Sequence, residues 1–434
     1  MFYTAENYSK RHTSYLSSNI LIRFFLILFG DILPELSYRL SLIRTSPIRR
    51  IAALLDQARQ SKDIISFGGG APSLPPPKEL IDEMNRLLRE KPSKALGYCG
   101  TRGLPELRRL IAEDLRKNFG VEYDYEKEII ITDGGTEGIF LALMSILNRG
   151  DGVIILDPTY VGYSEAIKLM ECHVVRIPVF VERNYQPDPE LVKNYITSKT
   201  KAFILLSPDN PTGRIIDEEF VKTLVDLAND YDFWIIYDAV YKYIVYEGKN
   251  PWIDAYPNAR DRTITINSFS KEASIPGLRL GYTTAPQEVI ESMEKAKQYV
   301  SLAPDTFGQY ALIKFYQNNV KDNYLKNVVI PTYKRRRDLM ATLMEEHLPE
   351  AKTVFPPGSF YFFVDMRYYL EKMARSDEEF CNRLLFRKNV IAIPGSFFGE
   401  QGRGHIRLTF VSEPEDRIRE GIKRMGAFVF SYVF

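Results

Sequence analysis

Short apolar runs alternate with longer amphipathic stretches between about residues 64 and 285. The apolar runs are rich in β-branched residues and predict buried strands. They lie at residues 64–67, 128–132, 153–156, 174–178, 202–206, 233–237 and 263–266. The segments between them have helical patterning. This alternation is typical of a mostly parallel sheet with helices on both faces, so we predict an α/β fold.

The pattern changes after about residue 300. A long charged helical run at residues 321–346 precedes apolar runs at 359–364, 390–393 and 405–411, which together predict a smaller α+β domain. Ser46 and Pro47 suit the N-cap and first position of an amphipathic helix over residues 46–55. We therefore predict three segments, which are an N-terminal extension (1–45), a large domain (46–300) and a small C-terminal domain (301–434). Residues 46–63 are expected to belong to the small domain or to a dimer contact.

Composition limits the function classes. A chain of 434 residues can bury a large core, and its net charge of +1 argues against nucleic-acid binding. The three cysteines do not have the spacing of a disulfide framework, and the four scattered histidines do not suggest a zinc site. A reducing, cytoplasmic location is expected.

Residues 19–29 form a strongly apolar stretch that Arg23 interrupts. The stretch is too short to span a membrane, and no small-residue cleavage site of a secretory signal follows it. We interpret it as an extension that packs on the body of the protein or on a partner subunit. Contact with a membrane surface is an alternative that the sequence does not favour.

Lys271 follows the apolar run at 263–266, with Ser268 and Ser270 before it and Arg279 after it. Ligands of α/β sheets bind at strand ends, and lysine is the side chain that forms Schiff bases with carbonyl groups. A plain solvent-exposed lysine in a Ser/Gly loop is the alternative. A second loop, at residues 133–138, is glycine-rich and opens a helix, so the amides of Gly135 and Thr136 could bind an anion.

Other polar residues also follow apolar runs. Asp238 comes directly after the run at 233–237, where an unpaired buried carboxylate would be costly. It either meets a cationic partner or caps a following helix. Tyr241 lies three residues later, Tyr160 follows the run at 153–156, and Asn210 begins an Asn-Pro-Thr-Gly turn after the run at 202–206.

These motifs together resemble fold-type I pyridoxal-phosphate enzymes, the aspartate aminotransferase superfamily. The quoted segments are Ser268-Phe-Ser-Lys271 with Arg279, the Asn210-Pro-Thr-Gly turn and Asp238-x-x-Tyr241, and matches run in the family's order from about residue 46 to residue 425. The resemblance implies that Lys271 binds pyridoxal phosphate covalently and later acts as general acid and base. It implies a protonated pyridine nitrogen against Asp238. It gives the remaining cofactor contacts to Gly135, Thr136, Tyr160, Asn210, Tyr241, Ser268, Ser270 and Arg279.

The resemblance also implies a substrate site and a dimer. The α-carboxylate of the substrate would meet Arg407, Asn210 and the backbone of Gly70. Tyr98 precedes a Gly-x-x-x-Leu-Arg pattern, and in the family this tyrosine reaches the cofactor phosphate of the other subunit. A homodimer with shared active sites is therefore expected.

The implied reaction is transfer of an amino group from an L-amino acid to a 2-oxo acid such as 2-oxoglutarate, in a ping-pong cycle. The segment at residues 66–72 is most similar to the branch that handles aromatic amino acids, 2-aminoadipate or kynurenine. Gly135 replaces a common serine, Tyr160 stands where some members have tryptophan, and no second arginine is placed for a side-chain carboxylate.

Two alternatives stay open at this stage. One is a pyridoxal-phosphate-dependent β-lyase or an aminocyclopropane-carboxylate synthase-like enzyme, because such enzymes share the cofactor shell. The other is a pyridoxal-phosphate-binding transcription regulator. That class needs an upstream DNA-binding module, and the first 45 residues are too few and too apolar to form one.

Overall fold

The computed structural model describes residues 35–45, 63–373 and 375–433. The helix expected at 46–55 and the apolar stretch at 19–29 lie outside these residues. Two compact units are distinguished, Met1–Leu42 and Ile43–Phe434. In the first unit the described part contains one short helix, α1, Tyr38–Ser41. All further elements belong to the second unit.

The strands of the second unit form three sheets. Their bounds are β1 Ile65–Ser66, β2 Ile129–Thr132, β3 Gly152–Asp157, β4 His173–Pro178, β5 Thr200–Leu206, β6 Trp234–Asp238, β7 Thr263–Ser268, β8 Gly281–Thr284, β9 Lys352–Thr353, β10 Tyr361–Asp365, β11 Val390–Ile391, β12 Ile393–Pro394 and β13 His405–Thr409. The large sheet has seven strands in the order β2-β8-β7-β6-β5-β3-β4. Of these, β8 alone runs against its neighbours β2 and β7. The prediction of a mostly parallel sheet is confirmed.

Helices fill the connections. Their bounds are α2 Lys78–Glu90, α3 Pro92–Leu96, α4 Pro105–Phe119, α5 Gly134–Ile146, α6 Gly162–Leu169, α7 Pro189–Tyr195, α8 Glu218–Asp230, α9 Phe269–Glu272, α10 Gln287–Val300, α11 Thr306–Tyr316, α12 Val320–Tyr324, α13 Ile330–His347, α14 Arg367–Met373, α15 Asp377–Lys388 and α16 Glu415–Val433. A π-helical turn, Leu325–Val329, joins α12 to α13. Within the described ranges, no helix is both long enough and apolar enough to cross a membrane.

The sequence pattern follows from burial. β2, β3 and β7 are buried along their whole length, which explains why their apolar runs are continuous rather than alternating. β4, at the edge, is only partly buried. Unlike β2, β3 and β7, the helix α8 is buried on one face only. Its apolar face, which includes Phe220 and Leu224, packs on the core, and acidic residues lie on the outer face.

A smaller antiparallel sheet has the order β12-β13-β10-β9, and β1 pairs in parallel with β11. The early segment after β1 is thereby held beside late strands, since Phe67 O accepts a hydrogen bond from Thr409 N at 2.9 Å. Arg407 lies on β13 opposite Phe363 of β10. The division into domains near residue 300 stays a prediction.

Candidate active site

A cavity of about 320 Å³ lies where the strands of the large sheet end. Because the carboxyl ends of parallel strands meet at one edge, residues far apart in sequence converge there. The sequence-predicted residues that line it are Gly70, Gly135, Thr136, Tyr160, Asn210, Asp238, Tyr241, Ser268, Ser270, Lys271, Arg279 and Arg407. Lining residues that sequence reasoning did not name are Ala71, Ile139, Leu206, Val240, Pro276 and Tyr361.

Lys271 sits on α9, the single helical turn that follows β7. The Ser268 hydroxyl caps this turn by accepting a hydrogen bond from the Ser270 amide at 3.3 Å. The Lys271 amine donates to the carbonyl oxygen of Gly70 at 2.6 Å. Burial lowers the pKa of this amine, and the nearby Arg407 contributes in the same direction. A lysine with a lowered pKa has more of the neutral amine that a nucleophile or a base requires.

The turn into α5 and the guanidinium of Arg279 form a cationic corner of the cavity. Gly134 has φ +78°, and a Cβ there would lie 2.6 Å from Arg279 Nη2. Glycine is therefore required for the arginine to lie against the start of the helix. Sequence reasoning named Gly135 in this loop and missed Gly134. The hydrogen-bond donors in this corner suit a phosphate group. They are the helix N-terminus, the guanidinium and the hydroxyls of Ser268 and Ser270.

The start of α5 is fixed from behind by a buried lysine that the sequence did not reveal. Lys297 of α10 donates to Glu137 at 2.6 Å, and the same carboxylate accepts from the amide of Asp133 at 2.7 Å. Ser301 donates to its other oxygen at 2.6 Å. These contacts hold the turn that presents the free amides of the helix.

Asp238 ends β6 and is buried. Its carboxylate accepts hydrogen bonds from the Tyr163 hydroxyl at 2.6 Å and from the Val240 amide at 3.2 Å. Turns rather than a helix follow it, so the helix-capping alternative is wrong at this position. Burial raises the pKa of Asp238 to about 6. A desolvated carboxylate beside a cavity is suited to a cationic partner there.

Arg407 is almost wholly buried and reaches the opposite wall of the cavity. It donates to Asn210 Oδ1 at 2.9 Å and to the Gly68 carbonyl at 2.7 Å. Its Nε is buried without a hydrogen-bond partner among the described residues. The guanidinium carbon lies 4.3 Å from the centre of the Tyr361 ring. Arg407 lines the cavity, and its two hydrogen bonds use two of the five guanidinium N–H groups, so the side chain retains donor capacity for a ligand.

Tyr361 lies between Tyr241 and Arg407 in the cavity lining and contacts both. Its hydroxyl lies 3.0 Å from the hydroxyl of Tyr241. A Cβ on Gly70 would come within 2.1 Å of the same hydroxyl, so glycine at this position leaves the room that Tyr361 occupies. The available sequence signal was a tyrosine at the start of β10, before three apolar residues, which does not by itself distinguish a site residue from a core residue.

Tyr98 is the predicted residue that the structure does not bring to this cavity. Its side chain is 90% exposed. Tyr160, in contrast, lines the cavity and contacts Tyr163 edge-on, with ring centres 5.4 Å apart.

Comparison with known proteins gives consistent results. Residues 62–425 match the family model for aminotransferase class I and II. The chain is 35% identical over 382 residues to an aspartate aminotransferase of Pyrococcus horikoshii, which covers 88% of this chain and 94% of that protein. It is 33% identical to aromatic-amino-acid aminotransferase 2 of Thermococcus litoralis over 90% of this chain and 97% of the relative. Aspartate aminotransferase from Thermus thermophilus with maleate superposes with a TM-score of 0.84 at 30% identity, covering 91% and 100% of the two chains.

Proposed function

This chain belongs to the class I and II aminotransferase family, and we propose that the cavity described above is its active site, with an aromatic or other bulky L-amino acid as donor. The chain is a pyridoxal-phosphate-dependent transaminase that acts on amino acids and 2-oxo acids. The observation that carries the site proposal is the convergence of Lys271, Asp238 and two arginines on a single cavity. A 2-oxo acid such as 2-oxoglutarate is proposed as the acceptor.

The residues present fit the cofactor. Its phosphate would be held by Arg279, the start of α5 and the two serine hydroxyls. Its pyridine nitrogen would meet Asp238. Its phenolic oxygen would accept hydrogen bonds from Asn210 and Tyr241. Tyr160 would stack on the ring. Bound there, pyridoxal phosphate supplies an electron-withdrawing ring that stabilises negative charge at the substrate Cα.

Lys271 has two tasks in this proposal. Its amine binds the cofactor at rest, and after release it moves the proton at the substrate Cα. The lowered pKa of this lysine supports both tasks, because each begins from the neutral amine.

Arg407 and Asn210 orient the donor through its α-carboxylate. Bidentate contact between a guanidinium and a carboxylate fixes the direction of the bond that loses the proton. In this structure, one N–H group of the Arg407 guanidinium donates instead to the Gly68 carbonyl. An incoming carboxylate would replace that contact with a stronger, charge-assisted one.

The proposed donor class rests on the rest of the lining. Ile139, Leu206, Val240 and Pro276 give the cavity apolar walls. Among the described lining residues, the cations are Lys271, Arg279 and Arg407, and each already has a task. The cavity itself therefore offers no further cation for a side-chain carboxylate, although the relatives include both aspartate and aromatic aminotransferases.

Single amino acids added without any oxo acid test this proposal. The purified protein with pyridoxal phosphate is expected to show a visible absorbance band that phenylalanine, tyrosine or kynurenine converts to the near-ultraviolet pyridoxamine form. Aspartate serves as the comparison donor. Bleaching by aspartate alone would refute the bulky-donor proposal, and ammonia release without an oxo acid would indicate a lyase.

We also propose a homodimer in which Tyr98 of each copy serves the other copy's site. The support is that Tyr98 is 90% exposed and that Leu96, two residues before it, is 70% exposed. Cysteine thiols that are all free support a reducing, cytoplasmic compartment.

The separate seven-stranded and four-stranded sheets support the division into a large and a small domain.

The Tyr98→Phe variant is expected to bind pyridoxal phosphate about tenfold more weakly, because one hydrogen bond to a charged group is lost. Titration of the visible absorbance measures this change, and sedimentation measures the oligomer. Tyr299→Phe is the matched control, since it removes a hydroxyl from an equally exposed ring. A monomer, or equal affinities for both variants, would contradict the shared site.

A further inference from the structure

We propose that a buried ion pair, Lys242–Glu272, positions the two cavity residues Tyr241 and Lys271. Lys242 directly follows Tyr241, and Glu272 directly follows Lys271. The inference rests on the proposed function, because it assigns the pair a task at that same site. We call these two residues the rear clasp.

The rear clasp is a direct contact away from solvent. Lys242 Nζ lies 2.7 Å from Glu272 Oε2, and the two side chains are 1% and 3% exposed. Neither residue lines the cavity, whereas the residue before each one does. The pair therefore joins the two segments from behind the surface that faces a ligand.

Each segment needs such support. α9, which carries Lys271, is a single helical turn of four residues, and one turn has little stability of its own. Tyr241 lies in turns between β6 and an isolated bridge at Val245. A contact between the two segments fixes the separation of the amine and the phenol that they present to the cavity.

The surroundings of the pair are aromatic and only partly satisfied in hydrogen bonding. Lys242 Nζ lies 4.7 Å from the ring centre of Tyr243 and 5.3 Å from that of Tyr282. Glu272 Oε1 and the Tyr282 hydroxyl are buried without hydrogen-bond partners among the described residues. A buried ion pair generally contributes little net stability compared with apolar residues of the same volume. The position of the pair next to two cavity residues therefore points to a geometric task rather than to a gain in stability.

A second buried pair provides the matched control. Lys321 contacts Asp114, with side chains 4% and 7% exposed, and Asp114 also accepts a hydrogen bond from the Tyr243 hydroxyl. This outer pair belongs to the same polar cluster, because Lys321 and Lys242 approach the same Tyr243 ring. It is equally buried, but neither of its residues follows a cavity residue in sequence.

The experiment compares two neutralised pairs in the full-length protein. Lys242→Met with Glu272→Gln is expected to weaken pyridoxal phosphate binding about tenfold, since small displacements of positioned groups have large effects. The pH midpoint of the visible absorbance is expected to rise by about one unit, because loss of a donor to the phenolic oxygen disfavours the deprotonated form. Lys321→Met with Asp114→Asn should change affinity less than about twofold and leave the midpoint in place, because neither residue adjoins a cavity residue in sequence. The charge-exchanged pair Lys242→Glu with Glu272→Lys should restore both values.

The possible outcomes distinguish failure of the rear clasp from failure of the proposed function. If the unaltered protein does not bind pyridoxal phosphate at all, the proposed function fails. If it binds the cofactor and both neutralised pairs behave alike, only the rear clasp is refuted. If the neutralised rear clasp does not fold, Glu272→Asp keeps the charge and shortens the reach. Unchanged affinity and midpoint in that variant would refute the clasp as well.

Discussion

Replacing Lys271 by alanine is expected to eliminate covalent attachment of pyridoxal phosphate and to lower kcat/KM by at least about 10⁴-fold. A positioned general acid and base alone contributes up to about that factor, and the same amine also forms the bond to the cofactor. The loss should appear in steady-state rates with the donor that bleaches the visible band most readily. Mass spectrometry after borohydride reduction should show the cofactor on the unaltered protein and not on the variant.

Lys271→Arg is the control for charge. It retains a cation beside the Gly70 carbonyl, to which the lysine amine donates at 2.6 Å, but arginine cannot form the covalent bond. We expect it to be as inactive as the alanine variant while remaining folded. Substantial activity in either variant would overturn the assignment of Lys271.

Asp238→Asn is expected to lower kcat by about 10²–10³-fold, the range seen when one preorganised electrostatic partner is removed. The amide can still accept the hydrogen bond from Tyr163, so the fold should be retained. Because the negative charge is lost, the protonated form of the pyridine nitrogen is no longer favoured.

Asp209→Asn would be a poor control, since Asp209 is itself paired with Arg214 in the core. Asp157→Asn is the better comparison, because Asp157 ends β3 outside the cavity lining and accepts two backbone amide hydrogen bonds, with Arg176 no closer than 4.0 Å.

The same carboxylate predicts a pH dependence. Burial raises the pKa of Asp238 from 3.8 to about 6, so between these values the folded, cofactor-free protein binds more protons than the unfolded chain. This residue's contribution to the free energy of unfolding therefore falls as pH rises from about 4 to 6. Cofactor affinity should change in the opposite sense, because the cationic ring nitrogen binds the ionised carboxylate. Affinity should rise with pH across that window, and the part of the rise due to Asp238 should be absent in Asp238→Asn.

Much of the sheet could be predicted because buried strands consist of continuous apolar residues that are visible in the sequence. The expected runs at 153–156, 202–206 and 233–237 overlap β3, β5 and β6. These strands are covered on both faces, and only continuous apolar segments satisfy that environment. The short strand β8 was not recognised, because Gly281–Thr284 contains no strongly apolar run.

The polar residues at strand ends were predictable for a related reason. Asp238 directly follows an apolar run, where an isolated charge would be costly, and Lys271 follows another predicted strand at the edge where ligands bind. The contacts between distant segments could not be predicted in this way. Tyr163 and Tyr361 read as ordinary core aromatics until the fold brings their hydroxyls to Asp238 and Tyr241. The acidic and basic residues of the rear clasp likewise look like surface charges along the chain.

The hydrogen bond from Arg407 to the Gly68 carbonyl has a consequence for the order in which the protein is made. On the ribosome, the residues proposed to hold the cofactor, from Gly135 to Arg279, emerge together with the strands of the large sheet that carry them. The segment around Gly68 emerges earlier still, but its partners on β11 and β13 are synthesised more than 100 residues after Arg279. A nascent chain therefore contains its own residues proposed for the cofactor before it contains Arg407, the residue proposed to recognise an amino acid. During biosynthesis, the residues proposed for the cofactor are thus completed before the residue proposed to select the substrate.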